Sequence, residues 1–261
     1  MKFLKEVKNY LHFLKIEKRV KQKKVYFYSE SKNYRNYLLE IIKGASEKGN
    51  IKVIYFTSDH DDKLNIKNVD EFVIGKGIVR LVFFTFLKCD LMIMTLTDLN
   101  NFEIKKSKNC KKYLYVFHSL MSVFKGYNKK AYQHYDIIFA NGEYQVKELK
   151  RMEELYNFNK KEIFNIGYTY IESLTKIINK NISDGSILFA PSWIKQKNDL
   201  LEIYGEKIIS KFLEMNKVIL RPHPQSLIKS KKELKKICET FQSNRNFFYN
   251  NSIGKVDTLD K

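Results

Sequence analysis

Residues 25–57 read VYFYSESKNYRNYLLEIIKGASEKGNIKVIYFT, and this stretch decides the fold class. It begins with the apolar run Val25–Tyr28, which predicts a buried β-strand. Apolar residues at helical spacing follow over Tyr34–Lys48 and end near Gly49, and Ile51–Thr57 predicts a second buried strand. A strand, a helix and another strand form the repeating unit of a parallel sheet that helices cover on both faces.

The same alternation continues along the chain. Further strands are predicted at Phe72–Ile74, Leu91–Leu96, Tyr113–Phe117 and Ile137–Ala140, and further helices over residues 76–88 and 142–156. We therefore expect an α/β domain over residues 23–180, built on a parallel sheet.

A second α/β unit is predicted after the polar stretch Asn179–Ser186, which is typical of a linker. Its predicted strands are Ile187–Ala190, Val218–Leu220 and Phe247–Tyr249, and its predicted helices lie near residues 199–215 and 227–240. This unit occupies residues 187–261, which is short for a complete domain, so we expect it to be partial.

Residues 1–22 precede the first domain and predict a basic amphipathic helix. Phe3, Leu4, Val7 and Leu11 recur at helical spacing, with lysines between them. Two interpretations stay open for this helix. It packs against its own domain, or it rests on a membrane with its lysines among anionic lipid head groups.

The charge balance indicates an anionic partner. The chain has 48 Lys and Arg residues against 29 Asp and Glu residues, a net charge of +19. A phosphorylated substrate, a membrane face or a nucleic acid would complement this charge. Only 6 of the basic residues are arginines, the residue that readers of bases and phosphates favour, so nucleic acid is the least favoured partner.

The spacing of the cysteines and the length of the apolar runs indicate the cellular compartment. The 3 cysteines lie far apart without a C-x-x-C pair, which disfavours a disulfide framework or a zinc knuckle. No apolar run approaches the roughly 18 residues of a membrane span, and Met1–Glu6 is charged where a signal peptide has its apolar core. We expect a cytoplasmic protein, with the inner membrane face as a peripheral location.

Two proline-containing segments follow predicted strands directly, and they hold the first candidate site residues. They are Ala190–Trp193, with Ser192, and Arg221–Pro224, with His223 between two prolines. Ligands of open α/β sheets bind beyond the carboxyl ends of strands, and proline makes such a loop rigid. Arg221 and His223 could present cationic or N–H groups to a pyrophosphate. The alternative is a strand-ending turn with an incidental histidine.

A third strand end carries His118, whose imidazole could act as a general base near neutral pH. A single histidine at a strand end also serves structural roles, so both interpretations stay open. Ser58–Asp62 could bind a metal, but a solvated loop is the favoured interpretation, and no metal or other cofactor is predicted. Gly75-Lys76-Gly77 lacks the third glycine of a dinucleotide-binding loop.

In their order along the chain, five segments resemble the CDP-glycerol glycerophosphotransferases, which make teichoic-acid-like polymers. Tyr115–Ser119 is similar to the family's Trp-His-Gly strand end, and Tyr135–Asn141 to the stretch that follows it. Gly167–Leu174 resembles the Gly-x-x-Arg-x-Asp-x-Leu element, Ile187–Trp193 the Tyr-Ala-Pro-Thr-Trp element, and Leu220–Pro224 the Arg-x-His-Pro element. The sequence departs from the family pattern at Ser119, where the family has Gly, and at Thr169-Tyr170, where Pro-Arg is more usual.

The resemblance implies a GT-B fold, with two Rossmann-like domains, and a transferase activity. His118 would deprotonate an acceptor hydroxyl that attacks the β-phosphorus of CDP-glycerol and releases CMP. Arg221 and His223 would hold the donor phosphates, and Ser192 would assist them. The acceptor would be a lipid-linked or polysaccharide polymer. The family's later Asp-Tyr-Ser-Ser segment would fall beyond residue 261.

Two alternatives to this function stay open. One is a GT-B glycosyltransferase that uses a nucleotide sugar in capsule or cell-envelope polysaccharide synthesis. The other is an inactive, truncated remnant that binds an anionic surface through its lysines.

Overall fold

A computed structural model describes residues 2–102, 104–126, 128–171, 185–192, 200–223 and 225–251. The chain divides into two compact units, residues 1–173 and 174–261. Each unit is built on its own parallel sheet.

The first unit contains a parallel sheet of seven strands in the order β3-β2-β1-β4-β5-β6-β7. The strands are β1 (Lys23–Ser29), β2 (Ile51–Thr57), β3 (Val69–Val73), β4 (Cys89–Met94), β5 (Cys110–Val116), β6 (Ile137–Ala140) and β7 (Glu162–Asn165). The helices are α1 (Lys2–Glu17), α2 (Lys32–Arg35), α3 (Leu39–Ser46), α4 (Ile78–Phe86), α5 (Val123–Gly126) and α6 (Glu143–Tyr156).

The core of this unit lies on both faces of the sheet, because side chains alternate along the strands. Tyr26 and Tyr28 of β1 point to the face that α1 and α4 cover, and their rings belong to an aromatic cluster with Phe13 and Phe83. Phe27 points to the opposite face, where it packs in the cluster that contains residues of α3. Burial on both faces explains why the central strands are continuous apolar runs.

Helix α1 packs against its own unit, which answers part of the question that the sequence left open. Phe13 is 4% exposed and contacts the rings of Tyr26 and Phe56, at centroid distances of 5.8 and 5.0 Å. The buried Glu6 carboxylate lies 2.9 Å from His60 Nε2 and fills the space beside Gly75, whose φ of +65° favours glycine. One face of α1 is therefore part of the fold.

Several elements differ from their predicted form, three of them in the first unit as follows. The helix predicted over residues 34–48 is divided into α2 and α3, with a turn between them. The strand predicted at Phe72–Ile74 begins earlier, at Val69. Strand β7 was not predicted, because it lies at the sheet edge with only one of its four residues half-buried and has no apolar run.

The second unit contains three parallel strands in the order β10-β9-β8. They are β8 (Ile187–Phe189), β9 (Val218–Leu220) and β10 (Phe247–Tyr249), and the helices are α7 (Leu200–Leu213), α8 (Ser226–Lys229) and α9 (Lys231–Phe241). Ile209 and Ile237 pack with the strands in its core. Most of the predicted linker over residues 179–186 lies outside the described residues.

Candidate active site

The strand order of the first unit creates a crevice at the carboxyl edge of its sheet. Strands β2 and β3 lie on one side of β1, whereas β4 to β7 lie on the other. The chain connections leaving β1 and β4 therefore run in opposite directions. This switch point, beyond the carboxyl ends of β1 and β4, is where open α/β sheets bind their ligands.

His118 lies beside this crevice. It follows β5, and its imidazole contacts the rings of Tyr34 and Tyr37 at centroid distances of 5.0 and 5.9 Å. Those two tyrosines follow β1, two strands away from β5. A hydrogen bond also joins His118 to the backbone of Thr95, which follows β4. The imidazole therefore spans the end of β4 and reaches the segment that follows β1.

The surroundings of His118 keep its imidazole neutral at pH 7. Burial lowers the pKa of His118 below its ordinary value of 6.5, and the hydrogen bond with the Thr95 backbone acts in the opposite direction. Tyr115 Oη lies 3.4 Å from His118 Nδ1. A half-buried neutral imidazole at a crevice has the protonation state that a general base requires.

The segment after His118 is held by a buried amide. The Gln145 side chain donates hydrogen bonds to the carbonyl oxygens of Ser119 and Met121, at 3.1 and 3.2 Å. Asn141 Nδ2 donates to the same Ser119 carbonyl at 3.0 Å, and Ser119 Oγ accepts from the Met121 N–H at 3.2 Å. Ser119 therefore stabilises the turn. Gln145 was not among the predicted site residues, although it shares the buried face of α6 with Leu149.

A cluster of tyrosines surrounds this edge. The Tyr37 ring lies 5.1 Å from that of Tyr170 and 5.9 Å from that of Tyr168. Thr169 Oγ1 donates a hydrogen bond to the Tyr37 carbonyl oxygen at 3.1 Å. The segment that contains Thr169 and Tyr170 is therefore packed onto the segment that follows β1. These tyrosines could not be predicted from the sequence, because ring contacts between distant segments leave no local pattern.

In the second unit, the two proline segments lie side by side. Phe189 of β8 is in register with Leu220 of β9, and the Arg221 N–H donates to the Phe189 carbonyl oxygen at 2.9 Å. Ser192 and Arg221 therefore belong to adjacent segments at the carboxyl edge of the same sheet. Ser192 is exposed and Arg221 is half-buried. Trp193 and Pro224 lie outside the described residues.

His223 is exposed and oriented by its own turn. Its Nδ1 accepts the Gln225 N–H at 3.1 Å, and its carbonyl oxygen accepts the Ser226 N–H at 2.8 Å. Because Nδ1 accepts this bond, the neutral ring carries its proton on Nε2. That Nε2–H group is a hydrogen-bond donor that could contact a phosphate oxygen.

The Ser58–Asp62 segment is not the solvated loop that the sequence predicted. Asp62 is 2% exposed, and its carboxylate accepts hydrogen bonds from Arg35 at 2.8 Å and from the Tyr55 hydroxyl at 2.5 Å. Asp59 accepts the backbone N–H of Asp61 at 3.0 Å. These carboxylates fix the loop to the fold. In the described ranges, no group of three His, Cys, Asp or Glu side chains could hold a metal ion.

Similar proteins were found by structure and not by sequence. No protein-family model matches the chain, and no curated protein matches it. The structure of S. aureus MnaA with UDP has a TM-score of 0.60 and 10% identity, over 91% of this chain and 70% of that chain. The UDP-GlcNAc 2-epimerase of Methanocaldococcus jannaschii, in complex with UDP-GlcNAc and UDP, has a TM-score of 0.58 and 17% identity, over 91% and 75%.

The wall teichoic acid polymerase TagF also matches, with 14% identity over 94% of this chain and 63% of that chain. Its TM-score of 0.49 is too low to bear on fold or function. The similarity to MnaA and the epimerase confirms the predicted fold class, which is α/β and GT-B-like with parallel sheets. At these identities the likeness concerns the fold alone.

Proposed function

We propose that the protein is a transferase that uses a nucleotide-activated donor, with His118 as the general base. The observation that carries this proposal is the neutral imidazole beside the switch-point crevice of the first unit. An acceptor hydroxyl bound in that crevice would give its proton to the imidazole as its oxygen attacks the donor.

The donor side of the proposal rests on the second unit. Arg221 carries a permanent positive charge, His223 offers an Nε2–H donor, and Ser192 is exposed on the adjacent segment. Such a group of donors at a carboxyl edge suits a diphosphate. The S. aureus MnaA structure contains UDP, and the M. jannaschii epimerase contains UDP-GlcNAc and UDP, which is consistent with a nucleotide donor for this fold.

In the specific reaction that we propose, the donor is CDP-glycerol or a related polyol donor. The acceptor oxygen forms a bond to the β-phosphorus, the bond from that phosphorus to the bridging oxygen breaks, and CMP leaves. The acceptor proton passes to His118. Arg221 and His223 would neutralise the charge that develops on the phosphates. The acceptor would be a hydroxyl of a surface-polysaccharide or teichoic-acid-like chain.

A second candidate function is favoured by the tyrosine cluster. The rings of Tyr34 and Tyr37 contact His118, and those of Tyr168 and Tyr170 contact Tyr37. Aromatic faces of this kind suit the apolar faces of sugar rings. A glycosyltransferase that uses a nucleotide sugar would use the same base and the same phosphate contacts.

The donor can be identified with the full chain. We expect CDP-glycerol to raise the melting temperature and to release CMP when an acceptor is present, because bound ligand stabilises the folded state. Arg221→Ala should slow CMP release on the order of 10²-fold, the usual effect of removing one charge-stabilising donor. Arg245→Ala is the matched control, since Arg245 is an exposed arginine of the same unit.

Each other result of the donor assay selects among the functions. Stabilisation by UDP- or CMP-sugars with no response to CDP-glycerol would replace the polyol donor with a nucleotide sugar. No response to any nucleotide would overturn the transferase proposal. The inactive remnant would then be the remaining interpretation.

The proposed location is the cytoplasm, with the chain held peripherally on the inner membrane face. The exposed side of α1 carries Phe3, Leu4 and Leu11 among four exposed lysines, Lys2, Lys5, Lys8 and Lys15. The two acids of α1 are engaged elsewhere, Glu6 with His60 and Glu17 with Lys24. The neighbouring helix α4 exposes Ile78, Leu81 and Phe86. This basic, apolar surface suits anionic lipid head groups.

No helix within the described ranges is long and apolar enough to cross a membrane. Binding to a surface can be measured by cosedimentation with lipid vesicles. We expect binding to phosphatidylglycerol vesicles that weakens with salt, and little binding to phosphatidylcholine vesicles.

The double substitution Leu4→Ser with Leu11→Ser should weaken this binding roughly tenfold or more, because it removes two side chains from the apolar contact. Leu155→Ser is the matched control, since Leu155 is exposed on α6, away from this surface. Equal vesicle binding by the double variant and the control would show that α1 does not contribute to membrane binding.

A further inference from the structure

A cavity of about 430 Å³ lies at the amino edge of the larger sheet, the edge opposite His118. It is lined by residues that precede β5 and β6 and by residues at the start of β7, among them Lys106, His134, Asp136, Lys160, Lys161 and Glu162. A second cavity of about 580 Å³ shares Lys160 and Lys161 with it. The candidate active site does not use any of these residues.

The carboxylates of the cavity are engaged in holding the fold together. Both oxygens of Asp136 accept hydrogen bonds from Lys106 Nζ, at 2.9 and 3.0 Å, and Asp136 Oδ2 also accepts the Tyr113 N–H at 2.8 Å. Glu162 is paired with Lys112. Their negative charges are therefore partly neutralised by these two lysines.

His134 lies among positive charges at this cavity, and Lys161 is partly buried. Burial lowers the pKa of Lys161, the charges of Glu153 and Asp136 oppose this effect, and the smaller effect of Lys106 adds to it. Burial also lowers the pKa of His134, and the charges of Lys106, Lys161 and Lys130 lower it further. An anion in the cavity would relieve this repulsion between like charges.

Hydrogen-bond donors are present as well as charge. Lys161 Nζ donates to the Asn159 carbonyl oxygen at 2.8 Å, which uses one of the three donors of an ammonium group. Lys160 is exposed and lines both cavities. Two adjacent lysines and a histidine within one concave site are suited to the several oxygens of a phosphate group.

We propose that this cavity binds a phosphate group, either as inorganic phosphate or as a phosphate ester of a larger molecule. Lys160 and Lys161 would provide the main charge, and His134 would donate a hydrogen bond in its protonated form. The site lies on the edge of the sheet opposite the candidate active site. The proposal of phosphate binding therefore does not depend on the proposed transferase activity.

The pKa of His134 can be followed by NMR in the folded chain, with its signal assigned by its loss in His134→Gln. Without phosphate, we expect this pKa to lie below the ordinary value for histidine. Added inorganic phosphate should raise it, because a bound anion stabilises the imidazolium. Sodium chloride at the same ionic strength should raise it much less. Glycerol 3-phosphate in place of inorganic phosphate distinguishes an ester site from a free phosphate site.

Calorimetry measures the affinity directly. The double substitution Lys160→Gln with Lys161→Gln should weaken phosphate binding roughly tenfold or more, the size of one lost charge-assisted hydrogen bond. Lys231→Gln with Lys232→Gln is the matched control, because this exposed pair lies in the second unit. Equal effects of phosphate and chloride on His134, with no binding heat from phosphate or its ester, would overturn the proposal.

Discussion

Replacement of His118 by alanine should reduce product release by roughly 10²- to 10⁴-fold, the usual contribution of a general base. The imidazole is neutral, half-buried and beside the crevice at the ends of β1 and β4. The reaction should be measured with the donor that stabilises the chain best, and affinity for that donor should change little. His12→Ala is the matched control, since His12 is exposed on α1.

The pH dependence separates a base from a structural histidine. Because burial lowers the pKa of His118, the acidic limb of kcat/KM should lie below pH 6.5. The same shift affects stability. The unfolded chain takes up the His118 proton at higher pH than the folded chain, so this contribution is complete above pH 6.5 and lost as pH falls through the folded pKa. His118→Ala should remove that loss. Wild-type product release by His118→Ala would rule out the catalytic base.

The second large effect is expected in the core. Phe13→Ala should lower the free energy of unfolding by about 3 to 5 kcal/mol, as is typical when a buried phenylalanine is truncated. The ring contacts Tyr26, Phe56, Phe72 and Phe83, at centroid distances between 5.0 and 5.9 Å. Urea unfolding followed by circular dichroism measures the change.

Leu11→Ala is the control for this substitution, because Leu11 is 54% exposed on the same helix and should change stability by only about 0.5 kcal/mol or less. Together, the two substitutions test whether one face of α1 is packed in the core while the other face is exposed. A loss below about 1 kcal/mol for Phe13→Ala would contradict the packing of α1 and identify it as a detachable segment.

The parts of the fold that could be predicted from sequence are those in which burial leaves a local pattern. Strands such as Ile51–Thr57 are buried on both faces, so their apolar runs were visible. Strand β7, Glu162–Asn165, lies at the edge and has no such run. The separation of α2 from α3 was also missed, because apolar spacing continues through the turn between them.

The same distinction applies to the residues of the candidate site, of which only some leave a local pattern in the sequence. His118 and Arg221 could be proposed because each directly follows an apolar strand, which is where ligands of parallel sheets bind. The packing of Thr169 onto Tyr37 could not, because these residues are 132 positions apart in the chain. The cavity for which we propose phosphate binding could not be predicted either, since it depends on three separate segments that meet at the amino edge of the sheet.

The parallel pairing of the larger sheet has a consequence for how the chain reaches this structure. Strand β1 pairs with β4, and the hydrogen bond from the Lys24 N–H to the Asp90 carboxylate, next to the first paired position Val25–Leu91, joins residues 66 positions apart. Such a sheet has high contact order and cannot begin from a local hairpin, so we expect slow folding. At a synthesis rate of about 5 to 20 residues per second, the β4 side of β1 waits roughly 3 to 13 s for its partner. During that interval an apolar strand has an unpaired edge, and chaperone binding on the ribosome would protect it from aggregation.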